Sequence, residues 1–282
     1  MTLNCRGTLV DLSKPKVMGI LNLTPDSFFD GGKYTGIDDA LRQTEKMLRE
    51  GADFIDVGGM SSRPGASIID ESEELKRVLL VLEAVIKQFP EVMLSIDTLR
   101  AKVARACVGA GAIMVNDISA GRFDNAMLAT VAALKVPFVA MHMQGMPADM
   151  QQQPQYTNVL NEVMGFFAER VRACRAAGIT DVILDPGFGF GKTIEHNYTL
   201  LRNLALFKEL NCPLLVGLSR KSMICRVLNV PPAEGLNGTT ALNTIALLNG
   251  ANIIRVHDVK EAKEVVKLLE TFSAGIQLGN IH

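Results

Sequence analysis

The sequence predicts a (β/α)8 barrel, and three observations carry that expectation. Eight short apolar runs recur along the chain, each followed by a turn and then a helical pattern. They occupy residues 17–22, 54–59, 92–97, 113–117, 138–143, 182–187, 214–219 and 253–258. Their apolar residues are consecutive rather than alternating, which suits parallel strands covered on both faces. Eight regular strand–helix units favour closure over a doubly wound open sheet, the alternative arrangement. Polar residues gather at the ends of the runs, where barrels of this class carry their chemistry.

Each element has its local reason. Residues 1–11 precede the first run and predict a small hairpin that plugs the barrel bottom. Residues 38–50 and 71–89 are amphipathic and predict helices. Asp70, with Glu73 three residues on, has the spacing of a capping box at the start of the second helix. No low-complexity linker or short-period repeat divides the chain, so residues 1–282 read as a single domain.

Composition narrows the function. The chain has 282 residues, 48% of them hydrophobic, enough for one large barrel core. A formal net charge of −1 gives no basic surplus for nucleic acid or an anionic membrane. Any anionic ligand must therefore be held by a few local cations. The five cysteines are odd in number and scattered, with no Cys-x-x-Cys pair, as expected for reduced thiols buried as filler. The N-terminus shows no signal-peptide pattern, and no apolar segment is long enough to span a bilayer. The expected location is the cytoplasm.

Residues 184–193, LDPGFGFGKT, look at first like a phosphate-wrapping loop. A P-loop places four residues between its first glycine and its Gly-Lys-Ser/Thr. Gly187 and Gly191 enclose only three, and Asp185 stands where it would repel a phosphate. The stretch reads instead as the loop leaving strand six, with glycines that turn tightly beside a ligand.

The strand ends carry Asn22, Asp56, Asp97, Asn116 with Asp117, His142, Asp185, Ser219 with Arg220 and Lys221, and Arg255 with His257. Asn22 can coordinate a hard cation or serve as a turn residue. Asp97, Asn116 and Asp185 suit a ligand presenting several N–H donors, such as a pterin or guanine, although carboxylates also suit metals. SRKSM at 219–223 opens a helix whose free N–H groups and Ser222 attract an anion. Lys221 faces the site as its cation, with a Schiff-base role as the alternative. Arg255 and His257 share one strand face and, with Lys221, make a positive spot of pyrophosphate size. His142 reads as a strand-end structural residue and His196 as a helix-start residue. Ser61, Ser62, Arg63 and Pro64 form either a phosphate-binding loop or an ordinary turn. Phe28 and Phe29 sit in a polar loop, as if to close over something flat.

Taken in order, MGILNLTPDSFFDGG, IDVGGMSSRPGA, SIDT, NDISA, MHMQGMP, LDPGFGFGK, LVGLSRKSMI and IIRVHDV resemble the segments of the bacterial dihydropteroate synthases, over nearly the whole chain. The resemblance implies condensation of 6-hydroxymethyl-7,8-dihydropterin diphosphate with 4-aminobenzoate, giving 7,8-dihydropteroate and pyrophosphate. It implies Mg²⁺, a homodimer and a sulfonamide-binding site. By matching position, Asp97, Asn116, Asp185 and Lys221 would hold the pterin ring. Asn22 would reach Mg²⁺ and the diphosphate, and Ser62, Arg255 and His257 would bind the diphosphate. Phe28, Arg63, Pro64, Phe190 and Ser222 would border the aminobenzoate site, with Phe28, Arg63 and Pro64 on two loops expected to order when the pterin diphosphate binds. Asp97, Lys221, Arg255 and His257 are the expected catalytic groups of an SN1-like path. The chain departs from the family pattern at Met60, where an acid is usual, at Ser62, where threonine is usual, and at Phe29, where serine is common. Two rivals remain: a methyltetrahydrofolate-dependent methyltransferase barrel, and a pterin-binding barrel without catalysis.

Overall fold

The computed structural model describes residues 1–23, 33–60, 69–145, 150 and 154–273. It begins with an antiparallel hairpin, β1 (Thr2–Cys5) and β2 (Thr8–Asp11). Cys5 pairs with Thr8, so the turn is only Arg6 and Gly7, with φ of 54° and 97°. Positive φ at both positions matches the right-handed twist of the two strands.

Eight parallel strands follow: β3 (Lys16–Asn22), β4 (Phe54–Gly58), β5 (Leu94–Asp97), β6 (Met114–Asp117), β7 (Phe138–Met141), β8 (Val182–Asp185), β9 (Leu215–Val216) and β10 (Ile253–Val256). The sheet order is β8-β7-β6-β5-β4-β3-β10-β9. A bridge between Leu184 and Leu214 brings the two sheet ends together, with the Leu184 amide donating to the Pro213 carbonyl at 2.8 Å. The expected eightfold barrel and its hairpin are both present.

Around the ring lie α1 (Lys33–Arg49), α2 (Glu71–Gln88), α3 (Ala101–Ala110), α4 (Met127–Leu134), α5 (Val159–Ala177), α6 (Ile194–Arg202), α7 (Ser222–Leu228), α8 (Leu236–Leu248) and α9 (Val259–Ser273). Outward strand residues such as Val17, Leu21, Ile55, Val57, Leu94 and Ile96 meet the apolar faces of these helices in the main core. Inward residues near the strand starts, including Met18, Phe54, Met114, Ile183 and Ile253, form a second core closed by Leu3, Cys5, Val10 and Leu12 of the hairpin. The hairpin is also tied down by Arg6, which donates to the Val108 carbonyl at 2.9 Å, and by the Asn4 amide, which donates to Asp181 at 3.1 Å. All five cysteines are buried and unpaired by disulfides.

Two local readings need correction. Asp70 does cap α2, accepting from the Ser72 amide at 2.9 Å, but Glu73 does not complete a box. Glu73 instead accepts from Arg77 one turn on, at 2.8 Å. A capping box forms at α6, where Thr193 accepts from the His196 amide at 3.1 Å and His196 Nδ1 accepts from the Thr193 amide at 3.3 Å. Several strands also stop short of their apolar runs. The run at 214–219 keeps only Leu215–Val216 as strand. There Leu218 turns to accept the Lys221 amide at 3.2 Å, and Leu218 remains fully buried, so apolar character outlasts the strand.

Candidate active site

The barrel interior turns polar two residues above the apolar floor. On β4 the inward positions are Phe54, Asp56 and Gly58, and on β10 they are Ile253 and Arg255. Arg255 reaches across β3. Its Nε donates to Asp56 Oδ2 at 2.7 Å and its Nη2 to Asp97 Oδ2 at 3.2 Å. The same Asp56 oxygen accepts from Asn116 Nδ2 at 2.8 Å. Four strands are thereby joined through one guanidinium and two carboxylates. Asp56 Oδ1 and Asn116 Oδ1 are buried without a hydrogen-bond partner. Buried acceptors are rarely left so, and these two call for N–H groups from a ligand.

Two glycines keep the space open. A Cβ on Gly58 would lie 3.7 Å from both Asn22 Oδ1 and Asp97 Oδ2. A Cβ on Gly217 would lie 3.7 Å from Lys221 Nζ and 3.9 Å from Arg255 Cβ. Asn22 and Asp97 thus flank Gly58, and Lys221 and Arg255 flank Gly217. Lys221 donates to the Phe188 carbonyl, and its Nζ lies 4.8 Å from the centre of the Phe190 ring. Asp185 accepts from the Gly187 amide at 2.8 Å. Phe190, Met60 and Met143 pack on Leu99, Ile118 and Met141 as an apolar wall. Met60, standing where the family commonly has an acid, is part of this wall.

The electrostatics follow from burial. Burial and the adjacent Asp56 carboxylate push Asp97 up to about 8, against the pull of Arg255. Burial also raises Asp185, opposed first by Lys221 and then by the Gly187 amide. Burial lowers Lys221 to about 8, opposed by Asp185. Burial would lower Arg255, but Asp56 and Asp97 hold it above its ordinary value. The mouth therefore stores charge that is only partly neutralised within the protein.

His257 comes to the rim through Ser219. The Ser219 hydroxyl accepts from the His257 amide at 3.2 Å and lies 3.0 Å from its Nδ1. Ser222 is exposed as the first residue of α7.

Other candidates stand elsewhere. Arg220 has φ of 56° and turns away from the mouth. It grips Asp258 through Nε and Nη2, at 2.9 and 2.8 Å, and the Pro232 and Ala233 carbonyls through Nη1. Asp117 accepts from the Ser119 and Gly121 amides, and burial raises it to about 6. His142 is buried against Lys192, and His196 starts α6. Phe28, Phe29, Ser61, Ser62, Arg63 and Pro64 lie outside the described residues. Asp56 and Lys192 are the two site-related residues that motif matching does not single out. Asp56 was visible as a strand-end acid, and the inward alternation Phe54–Asp56–Gly58 marks it as a site residue. Lys192 carries no outward signal beyond its glycine-rich loop.

The donor set fits a magnesium ion only in company with an anionic ligand. Among the described residues no group of three His, Cys, Asp or Glu side chains could hold a metal. Asn22 supplies one neutral oxygen beside the Asp97 carboxylate. Magnesium is commonly bound by one or two protein oxygens together with substrate phosphates.

Comparison with known proteins agrees with this geometry. Residues 18–257 match a family described as pterin binding enzyme. A dihydropteroate synthase of Escherichia coli K12 is 49% identical over 277 residues, 97% of this chain and 98% of the relative. That of Bacillus subtilis is 40% identical over 95% of this chain and 91% of its own. The Yersinia pestis dihydropteroate synthase, solved with a sulfonamide drug complex, superposes with a TM-score of 0.91 at 46% identity, covering 98% of this chain and 100% of that one. The Xanthomonas albilineans dihydropteroate synthase, solved with 7,8-dihydropteroate, has a TM-score of 0.88 at 38% identity over 98% and 100% of the two chains.

Proposed function

This chain belongs to the dihydropteroate synthase family of pterin-binding enzymes, and from that premise we infer how its barrel mouth condenses 6-hydroxymethyl-7,8-dihydropterin diphosphate with 4-aminobenzoate. The observation that carries the reading is the pair of unpartnered buried oxygens, Asp56 Oδ1 and Asn116 Oδ1, within a ring of charged groups. A 2-amino-4-oxo heterocycle offers the N–H donors they lack. Asn116 and Asp185 accept from the ring, Asp56 completes the set, and Lys221 flanks it.

Arg255 and His257, with Ser62, receive the diphosphate. Arg255 is already shared between Asp56 and Asp97, so its charge can redistribute toward the leaving oxygens without moving the side chain far. Asn22 would hold Mg²⁺ beside the diphosphate, and the ion would supply countercharge to the leaving group. The electron-rich dihydropterin carries the cation that forms on its exocyclic methylene, and Asp97 beside the ring favours that cation. The amine of 4-aminobenzoate then attacks along the wall made by Phe190 and its neighbours, with Phe28, Arg63, Pro64 and Ser222 completing that side. No strong base is needed, because the product anilinium is acidic. A sulfonamide would compete at the aminobenzoate position.

The enzyme acts as a homodimer in this reading. Val227 and Leu228 of α7 and Ile245 and Leu248 of α8 are exposed apolar residues on neighbouring helices, a surface suited to a second copy. A cytoplasmic location suits the unpaired buried thiols, and no helix among the described residues is long and apolar enough to cross a membrane.

The test is turnover of the purified protein with both substrates and Mg²⁺. Stoichiometric pyrophosphate and 7,8-dihydropteroate are expected. Pterin binding without pyrophosphate release would leave a binding barrel and sink the catalytic reading.

A further inference from the structure

We propose that Lys192 is a positioning residue of the active site: its buried amino group ties the loop after β7 to the loop after β8 and so sets the pose of Lys221 and Phe190. The proposal rests on the reading of the mouth as the pterin and aminobenzoate site.

Lys192 is 3% exposed. Its Nζ lies 2.9 Å from His142 Nδ1, 2.9 Å from the Gly187 carbonyl, 3.0 Å from the Phe190 carbonyl and 3.2 Å from the His142 carbonyl. Every one of these acceptors is neutral. A buried lysine ordinarily pairs with a carboxylate, whereas this one sits in a cage of carbonyls and one imidazole. Burial lowers Lys192 well below its ordinary range, opposed by the Asp185 carboxylate, so this amino group sheds its charge more readily than an exposed lysine. Burial and then Lys192 lower His142 to about 2, so the ring beside Lys192 is neutral and adds no charge to the cage.

The cage joins two loops that meet backbone to backbone. A Cβ on Gly187, at φ 66°, would overlap the His142 carbonyl, and one on Gly191, at φ 59°, would overlap the Gln144 carbonyl. Only glycine permits both the approach and the conformation. Between the two anchored carbonyls run Phe188 and Gly189. The Phe188 carbonyl is the acceptor for Lys221, and the Phe190 ring faces the same ammonium. Lys192 thus fixes both ends of the short segment on which Lys221 rests. The lysine that mimics a phosphate loop in the sequence points inward to its own backbone, while Thr193 caps α6.

Asn197 braces the segment independently, accepting from the Gly189 amide at 2.7 Å and donating to the Thr193 carbonyl at 2.6 Å. A variant at Lys192 should therefore keep the fold and lose the fine placement. Lys192→Met preserves length and bulk but removes every proton. With it, the KM for 4-aminobenzoate and the Kd for a dihydropterin are expected to rise tenfold or more, with kcat falling less than threefold. Lys192→Gln, which restores two N–H donors, should recover part of the loss. A fall confined to Tm or kcat, with KM and Kd unchanged, would make Lys192 a strut and overturn the proposal.

A second measurement on the unmodified protein does not depend on any variant folding. Nitrogen NMR of His142 should show Nδ1 unprotonated and Nε2 protonated near neutral pH. A protonated Nδ1 would mean that Lys192 does not donate there, and would equally overturn the proposal. Pterin binding and the NMR signature need no turnover, so they separate this proposal from a failure of the synthase reading.

Discussion

The floor and the mouth of this barrel are built from the same strands and differ by two residues. Phe54 and Asp56 lie on β4, Met114 and Asn116 on β6, Ile183 and Asp185 on β8, Ile253 and Arg255 on β10. In every pair the first residue belongs to the apolar core under the hairpin, and the second faces the polar mouth. Two strand residues rise only about 7 Å. Over that distance the interior passes from a dry core to a set of charges that satisfy one another incompletely. The lesson is a division of labour along each strand: the lower position stabilises, and the upper position waits for a ligand.

That division can be broken most sharply at Arg255. It belongs to the mouth by position, yet it is the counter-ion of two buried carboxylates. Arg255→Ala should cost about 3–5 kcal/mol of stability, as removal of one member of a buried ion pair does, and should also abolish turnover. Urea unfolding and pyrophosphate release measure the two losses. A normal unfolding midpoint would show that the mouth carries no stability. At the floor, Phe54→Ala should cost a comparable amount, about 3–5 kcal/mol, but the folded fraction should bind a dihydropterin with unchanged affinity. A weakened affinity there would mean that the two layers are mechanically coupled.

A smaller effect is expected for Asp185→Asn. An acceptor becomes a mismatched amide, which should weaken pterin binding by about 1–3 kcal/mol while leaving the unfolding curve in place. Calorimetry with a dihydropterin decides it, and unchanged affinity would remove Asp185 from the site.

The last expectation is a slope with pH. Burial and the adjacent Asp56 raise Asp97 in the folded chain to about 8, against the pull of Arg255, above its ordinary value of 3.8. The folded state therefore binds more protons than the unfolded state between those values, and stability should decline as pH rises through that window. Asp97→Asn should flatten that part of the profile. A profile identical to that of the parent protein would show Asp97 already ionised at low pH.

Much of this was legible in the residues. Consecutive apolar runs located all eight barrel strands, because a parallel strand buried on both faces has no polar alternation to confuse it. The hairpin was legible as an extra segment before the first run. The strand ends were less so: Leu218 is as buried as any strand residue, yet its backbone has already turned. Arg220 looked like a site cation because it stands between Ser219 and Lys221. Only the fold reveals that its left-handed backbone sends it to Asp258, on a loop nearly forty residues later. Asp56 was one polar residue among many until Arg255 was seen to reach it. The Asp70–Glu73 spacing misled because a nearer partner, Arg77, competes for the same carboxylate. Phe28, Ser62, Arg63 and Pro64, expected at the site, lie outside the described residues.

The pairing of β3 with β10 sets Val17 against Ile254, and Met18 against Arg255. The first and last strands of the ring are neighbours, and the guanidinium that organises Asp56 and Asp97 is delivered by the last. No stretch of chain that lacks β10 can assemble this mouth. Without Arg255, Asp56 and Asp97 are two acids with no base between them, and the edge of β3 stands open for want of its partner. A chain cut short before β10 would hold seven strands of the ring and none of the cation that organises its charge.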